Sequence, residues 1–223
     1  MSAPVTIALL KRKGGSGATI AAGSLAVALA ELGHRVAALD LDPQGSLALW
    51  ARSGPGKLAG IVTSIEVQEV AELRVAVAAT GADRVILDSP PGFDRPSLVA
   101  ALVADLAIVP VAPASFDVAA AQEVVELIGE ARARRPDAGP VVLMLPSRVT
   151  RTAEGAELVA VLERLGEVLP PIAMRNTFVR AASVGQTVIE FDKRSPATAE
   201  IWAVAAAVEK RIAQMTRGRA AHA

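Results

Sequence analysis

A chain of 223 residues with zero formal net charge and 52% hydrophobic residues holds ample apolar material for one sizeable domain. It carries no bulk charge to draw it to nucleic acid or membrane, so any such binding must come from a local patch. The absence of cysteine excludes disulfides, thiolate zinc sites and cysteine-ligated iron–sulfur clusters.

The first apolar run, 5–10, predicts a buried strand, and the Ala-rich run 18–32, stopped by Gly33, predicts a helix. A second strand over 35–41 ends in the turn cluster Asp42-Pro43-Gln44-Gly45. A short helix over 46–52 and a Gly/Pro loop over 53–56 follow, then a helix over 66–80. The strand 84–88 is broken by Ser89-Pro90-Pro91-Gly92; next come a helix over 96–104, a strand over 106–111 and a long helix over 117–135. A strand over 141–145, a helix over 152–165, an edge-like strand over 170–173 and helices over 178–185 and 196–214 complete the chain. Six near-continuous apolar strands separated by helices imply a parallel sheet covered on both faces, an α/β three-layer sandwich with right-handed crossovers. No repeat, low-complexity tract or long linker divides it, so one domain over 1–214 with a flexible tail over 215–223 is expected. The N-terminus has no basic region before an apolar core, and the run 18–32 is short for a membrane span, so a soluble, cytoplasmic protein is expected. Trp50 and Trp202 are assigned to packing and His34 to an exposed turn; with only His222 besides, a histidine triad or metal cluster is not expected.

In such sheets the ligand site lies beyond the carboxyl ends of the strands. Polar and glycine-rich punctuation gathers there. After the first strand, Gly14, Gly15, Ser16, Gly17, Ala18 and Thr19 have the strand–loop–helix context of a phosphate cradle. Thr19 is placed to ligate Mg²⁺, and Asp88, ending an apolar strand, to hold the same ion. Asp40 and Asp42, two apart, can face one side. Each residue has a plainer alternative: Thr19 as a helix cap, the aspartates as turn residues. A strict Walker A pattern rejects the loop, because Arg12 stands for the first glycine and Ala18 for the lysine.

Lys13-Gly14-Gly15-Ser16-Gly17, with Asp40-Leu41-Asp42-Pro43-Gln44-Gly45 and Asp88-Ser89-Pro90-Pro91-Gly92, resembles the ParA/MinD family of deviant Walker A ATPases. The likeness is diffuse elsewhere but spans nearly the whole chain. It implies a P-loop NTPase architecture like that of the nitrogenase iron protein, with ATP and Mg²⁺ as cofactors. It also implies that Lys13 acts on a partner protomer's nucleotide. By the same likeness Asp42 orients the attacking water, Asp40 supports it and the metal region, and the segment after Asp88 senses nucleotide state. Residues 142–146 would read the adenine; Met144 and Leu145 stand where the family often has an asparagine, so recognition would fall to backbone groups and Pro146.

Ala18 departs from the family, which has a lysine there. A charged hydrogen bond contributes about 1.5–3 kcal/mol, so nucleotide binding is expected to weaken roughly 10- to 100-fold and hydrolysis to be slow or absent. Either Ala18 is an engineered change in an otherwise intact site, or it is native and Lys13 or Lys11 offsets it in part. Ala18→Lys is expected to restore binding.

The resemblance points to a ParA-like positioning ATPase. Such a protein dimerises on ATP, binds DNA without sequence preference and releases it when an adaptor protein stimulates hydrolysis; nucleoid association would follow. Candidate DNA contacts are Arg148, Arg151, Arg175, Arg180, Lys193, Arg194 and Arg211, whereas Arg132, Arg134 and Arg135 suit a helix end. A MinD-like membrane cycle ranks lower, because the tail 215–223 lacks bulky apolar residues. A metabolic enzyme on the same loop, such as an iron-protein-like reductase, is disfavoured by the missing cysteines. A nucleotide-free scaffold is the alternative if Ala18 is native.

Overall fold

A computed structural model describes residues 3–113, 115–137, 139–150 and 153–220. The strands are β1 (Val5–Lys11), β2 (Val36–Asp40), β3 (Val62–Ser64), β4 (Arg84–Pro91), β5 (Leu106–Val111), β6 (Val141–Pro146) and β7 (Glu167–Val168). The helices are α1 (Ala18–Glu31), α2 (Ser46–Arg52), α3 (Val70–Ala79), α4 (Arg95–Val103), α5 (Ser115–Ala133), α6 (Ala153–Leu162), α7 (Asn176–Ser183), α8 (Val188–Phe191) and α9 (Pro196–Ala220). The strands form one seven-stranded sheet in the order β3-β2-β4-β1-β5-β6-β7, and every pairing is parallel.

Alternation along the strands sorts side chains into two cores. Ile7 and Leu9, Ile86, Leu106 and Ile108, Leu143 and Leu145 face the layer built from α1, α2 and α7 to α9. Ala8 and Leu10, Val85 and Leu87, Ala107 and Val109, Val142 and Met144 face the layer of α3 to α6. Strands buried on both faces have no polar side to show, which is why they read as unbroken apolar runs. The expected three-layer α/β architecture is therefore present. Among the described residues, no helix is long and apolar enough to cross a membrane.

Several boundaries differ from the sequence reading. The edge strands β3 and β7 were not anticipated, and 170–173 is not a strand; only Ala173 bridges, to Val149. Strand β4 does not break at Ser89 but continues to Pro91, while α3 starts at Val70 rather than at residue 66. Helix α9 runs past residue 214 to Ala220, so that part of the expected tail is helical. His34 is half-buried, 3.2 Å from Glu209, rather than exposed in its turn.

Two loops cross where side chains have no room. Gly185, between α7 and α8, has φ +68°, and a Cβ there would lie 2.2 Å from the Gly54 backbone nitrogen. Gly185→Ala is expected to destabilise by about 2–5 kcal/mol, from left-handed strain plus backbone overlap. Thermal denaturation followed by circular dichroism tests this; an unchanged melting temperature would mean that the crossing yields freely.

Candidate functional site

The tips of β2, β4 and β1 are neighbours, with Asp88 in register with both Asp40 and Leu9. The loop leaving β1 turns through Gly15 (φ 85°) and Gly17 (φ 83°), and a Cβ on Gly17 would lie 2.9 Å from the Ser147 hydroxyl. Only glycine fits there without strain. Gly17 is also the N-cap of α1 and brings no side chain to bond the helix's first amides, which leaves them for an anion. The resulting cleft of about 400 Å³ is lined by Gly14 to Thr19, Lys11, Asp42, Gln44, Ser46 and Pro91.

The carboxylates divide the work. Asp88 is fully buried; its Oδ1 accepts a hydrogen bond from Lys11 Nζ at 2.8 Å, and its Oδ2 has no partner among the described residues. Ser89 Oγ, next in the chain, donates to the Leu9 carbonyl at 2.7 Å and ties the tip of β4 to β1. Asp42 lines the cleft and accepts the Gln44 amide at 2.9 Å. Asp40, expected near the metal, is occupied elsewhere. Its two oxygens accept the amides of Asp42 (3.2 Å) and Ala48 (2.9 Å), so it braces the turn that carries Asp42. Burial pushes its pKa up, and these two amides oppose the shift.

These donors suit a polyphosphate with a hard cation. The orphaned Asp88 Oδ2 and the Thr19 hydroxyl are oxygen ligands, as Mg²⁺ requires. Among the described residues, no group of three or more His, Cys, Asp or Glu could cage an ion. A cation here would thus take most of its remaining ligands from phosphate and water, which is how Mg²⁺ is usually held.

A second groove of about 300 Å³ continues from Gly15 and Gly17 towards Ser147, Arg148, Met174 and Phe178. Pro146, expected to meet the base, lies buried beneath, and its carbonyl accepts the Ile172 amide at 2.8 Å. The two residues after it, buried Ser147 and exposed Arg148, reach the loop instead. Ser147 Oγ donates to the Ser16 carbonyl, and Arg148 Nη1 to the Gly15 carbonyl at 2.6 Å. Arg148 has φ 54°, the one non-glycine positive φ among the described residues, so the backbone is strained where it pins the phosphate loop. The sequence reading missed this strap; the available signal was that Ser147-Arg148 directly follows a strand tip.

Lys13 is exposed on the loop, beside a small cleft with Asp117 and Val124 of α5, and does not line the phosphate cleft of its own chain. Arg12 stacks 4.6 Å over Phe93 and pairs with Glu123 at 2.8 Å.

The candidate DNA contacts do not stay together. Arg148 is bonded to the Gly15 carbonyl of the phosphate loop; Arg175 is paired with Glu200 at 2.6 Å and Arg211 with Glu167 at 3.1 Å. Arg151 lies outside the described residues. Arg180, Lys193 and Arg194 are exposed, and Arg180 sits 5.5 Å over Phe191, close in sequence to the other two.

Residues 7–188 match the CobQ/CobB/MinD/ParA nucleotide binding domain family. The chain is 29% identical over 201 residues to maintenance of carboxysome distribution protein A of Halothiobacillus neapolitanus, covering 87% of this chain and 91% of that one. It is 31% identical over 225 residues to the chromosome-partitioning ATPase Soj of Thermus thermophilus, covering 85% and 89%. Among solved structures, an aspartate-to-alanine variant of Cyanothece McdA in complex with ATP shares the fold, with a TM-score of 0.77 at 18% identity over 96% of this chain and 98% of that one. The septum site-determining protein MinD of Pyrococcus horikoshii, complexed with Mg-ADP, does so with a TM-score of 0.76 at 19% identity over 94% and 97%.

Proposed function

The chain belongs to the CobQ/CobB/MinD/ParA family of nucleotide-binding domains, and from that premise we propose that it is a ParA-like ATPase that positions a cargo. ATP brings two copies together, the dimer holds DNA without sequence preference, and an adaptor protein stimulates hydrolysis and release. The observation that carries this reading is the cleft shared by the glycine cradle, Thr19 and Asp42, with the buried Asp88 joined to its wall through Lys11 at 2.8 Å. Relatives that distribute carboxysomes or partition chromosomes favour a positioning task over a metabolic one.

The roles follow from placement. Amides of Gly14 to Thr19 bind phosphate oxygens. Thr19 and Asp88 hold Mg²⁺, which when bound neutralises charge on the phosphates. Asp42, at the cleft wall, orients water. Lys13, exposed on the loop, acts on a partner's nucleotide across the dimer.

DNA binding rests on Arg180, Lys193 and Arg194, the exposed members of the candidate set other than Arg148, which is bonded to the Gly15 carbonyl. Replacing all three with Ala should lower the slope of log affinity against log salt by about 3 and weaken binding to every sequence alike. Mobility shift with and without ATP, across a salt series, reads this out. An unaltered slope would move the interface elsewhere; ATP-dependent sedimentation with liposomes and no DNA shift would favour a membrane cycle instead.

A further inference from the structure

We infer that Lys11, from the end of β1, supplies the phosphate-contacting amine that Ala18 lacks; this rests on the nucleotide-site reading above. Three observations carry it. Lys11 is 7% exposed, and a lysine is rarely buried without a specific partner. Its amine reaches the carboxylate proposed to hold the cation, Asp88, at 2.8 Å. Lys11 also lines the same cleft as Ala18, Thr19 and Asp42.

A buried ion pair is a poor device for stability alone, since desolvation of both charges offsets much of their attraction. At the mouth of a polyphosphate cradle the pair has a second use. Without ligand, Lys11 neutralises Asp88 and keeps the site assembled. With ligand, Asp88 turns to the cation and Lys11 exchanges one anionic oxygen for another on the phosphates. The amine thus enters from the strand side of the loop, where the family's usual lysine would enter from the first turn of α1. Ala18 is itself buried, so the short side chain at that position leaves the cleft to Lys11.

The test compares four chains by calorimetry with ATP and Mg²⁺: the parent, Lys11→Met, Ala18→Lys and the double variant. Lys11→Met should weaken binding about 10- to 100-fold, the loss of one charged contact. The double variant should return to within about threefold of the parent, since the two positions serve one amine. Ala18→Lys alone should gain less than about tenfold, because the contact already exists. If Lys11→Met binds like the parent, or if Ala18→Lys gains a hundredfold, the inference is overturned while the nucleotide site stands. If no chain binds, Ala18→Lys included, the proposed function fails and the inference with it. Should Lys11→Met not fold, the comparison of the parent with Ala18→Lys and with the double variant still decides.

Discussion

Asp88→Asn should lower the melting temperature of the nucleotide-free protein by roughly 6–20 °C. The side chains of Asp88 and Lys11 are 1% and 6% exposed, and they share a 2.8 Å contact. Removing one member of a buried pair leaves the other charged without compensation, which costs about 3–5 kcal/mol. For a chain of this size each kcal/mol moves the midpoint by about 2–4 °C. The second half of the cycle identifies the cause: Lys11→Met/Asp88→Asn should recover most of the loss, since no lone charge remains. Differential scanning calorimetry on the four chains measures the coupling. A midpoint within about 2 °C of the parent for Asp88→Asn would mean that water reaches the pair and that it is not buried in solution. Because no nucleotide is present, this outcome is independent of whether Asp88 holds a cation.

The architecture was legible because its strands are buried twice over. Runs such as Val85-Ile86-Leu87 need no periodic pattern to be seen, and turn residues mark where each run stops. The edge strands were not legible for the opposite reason. Val62–Ser64 is short and half open to solvent, and Glu167–Val168 has two residues, so neither gathers a hydrophobic signal. Residues 170–173 misled because Ile172 is buried, yet it docks through a loop and not through a ladder. Pro90 and Pro91 suggested a break. They are tolerated in a central strand because β2 has already ended at Asp40, opposite Asp88, and β1 shifts register between Leu9 and Lys11.

The same division holds in the site. Thr19, Asp42 and Asp88 could be singled out because each follows or closes an apolar run near the carboxyl end of a strand, and such ends in one parallel sheet share an edge, although β4 itself runs on past Asp88 to Pro91. Partner choice was not readable. Lys11 finds Asp88 across 77 residues, and Arg175 and Arg211 find Glu200 and Glu167 only once α9 has packed. A count of basic residues in the last third therefore included arginines that the fold pairs with acidic partners.

On the proposed function, Asp42→Ala should reduce ATP hydrolysis by about 10²- to 10⁴-fold, the usual contribution of a positioned acid–base group, while leaving ATP binding and the proposed ATP-dependent dimer in place. The reason for separating the two lies in the turn. Asp42 meets the cleft directly, and within the fold its carboxylate accepts one amide, that of Gln44. Asp40 anchors the turn from behind through two amides, so the backbone should keep its course when Asp42 is shortened. Asp40→Ala is the contrasting variant: it removes the brace, frees the Asp42 and Ala48 amides inside the fold, and should lower stability and hydrolysis together. Single-turnover hydrolysis, paired with gel filtration in ATP, distinguishes them. If Asp42→Ala hydrolyses at the parental rate, water is oriented by some other group and Asp42 is a turn residue. If it loses the dimer along with hydrolysis, its part lies in assembling the paired site, and the chemical role passes to residues supplied across the interface.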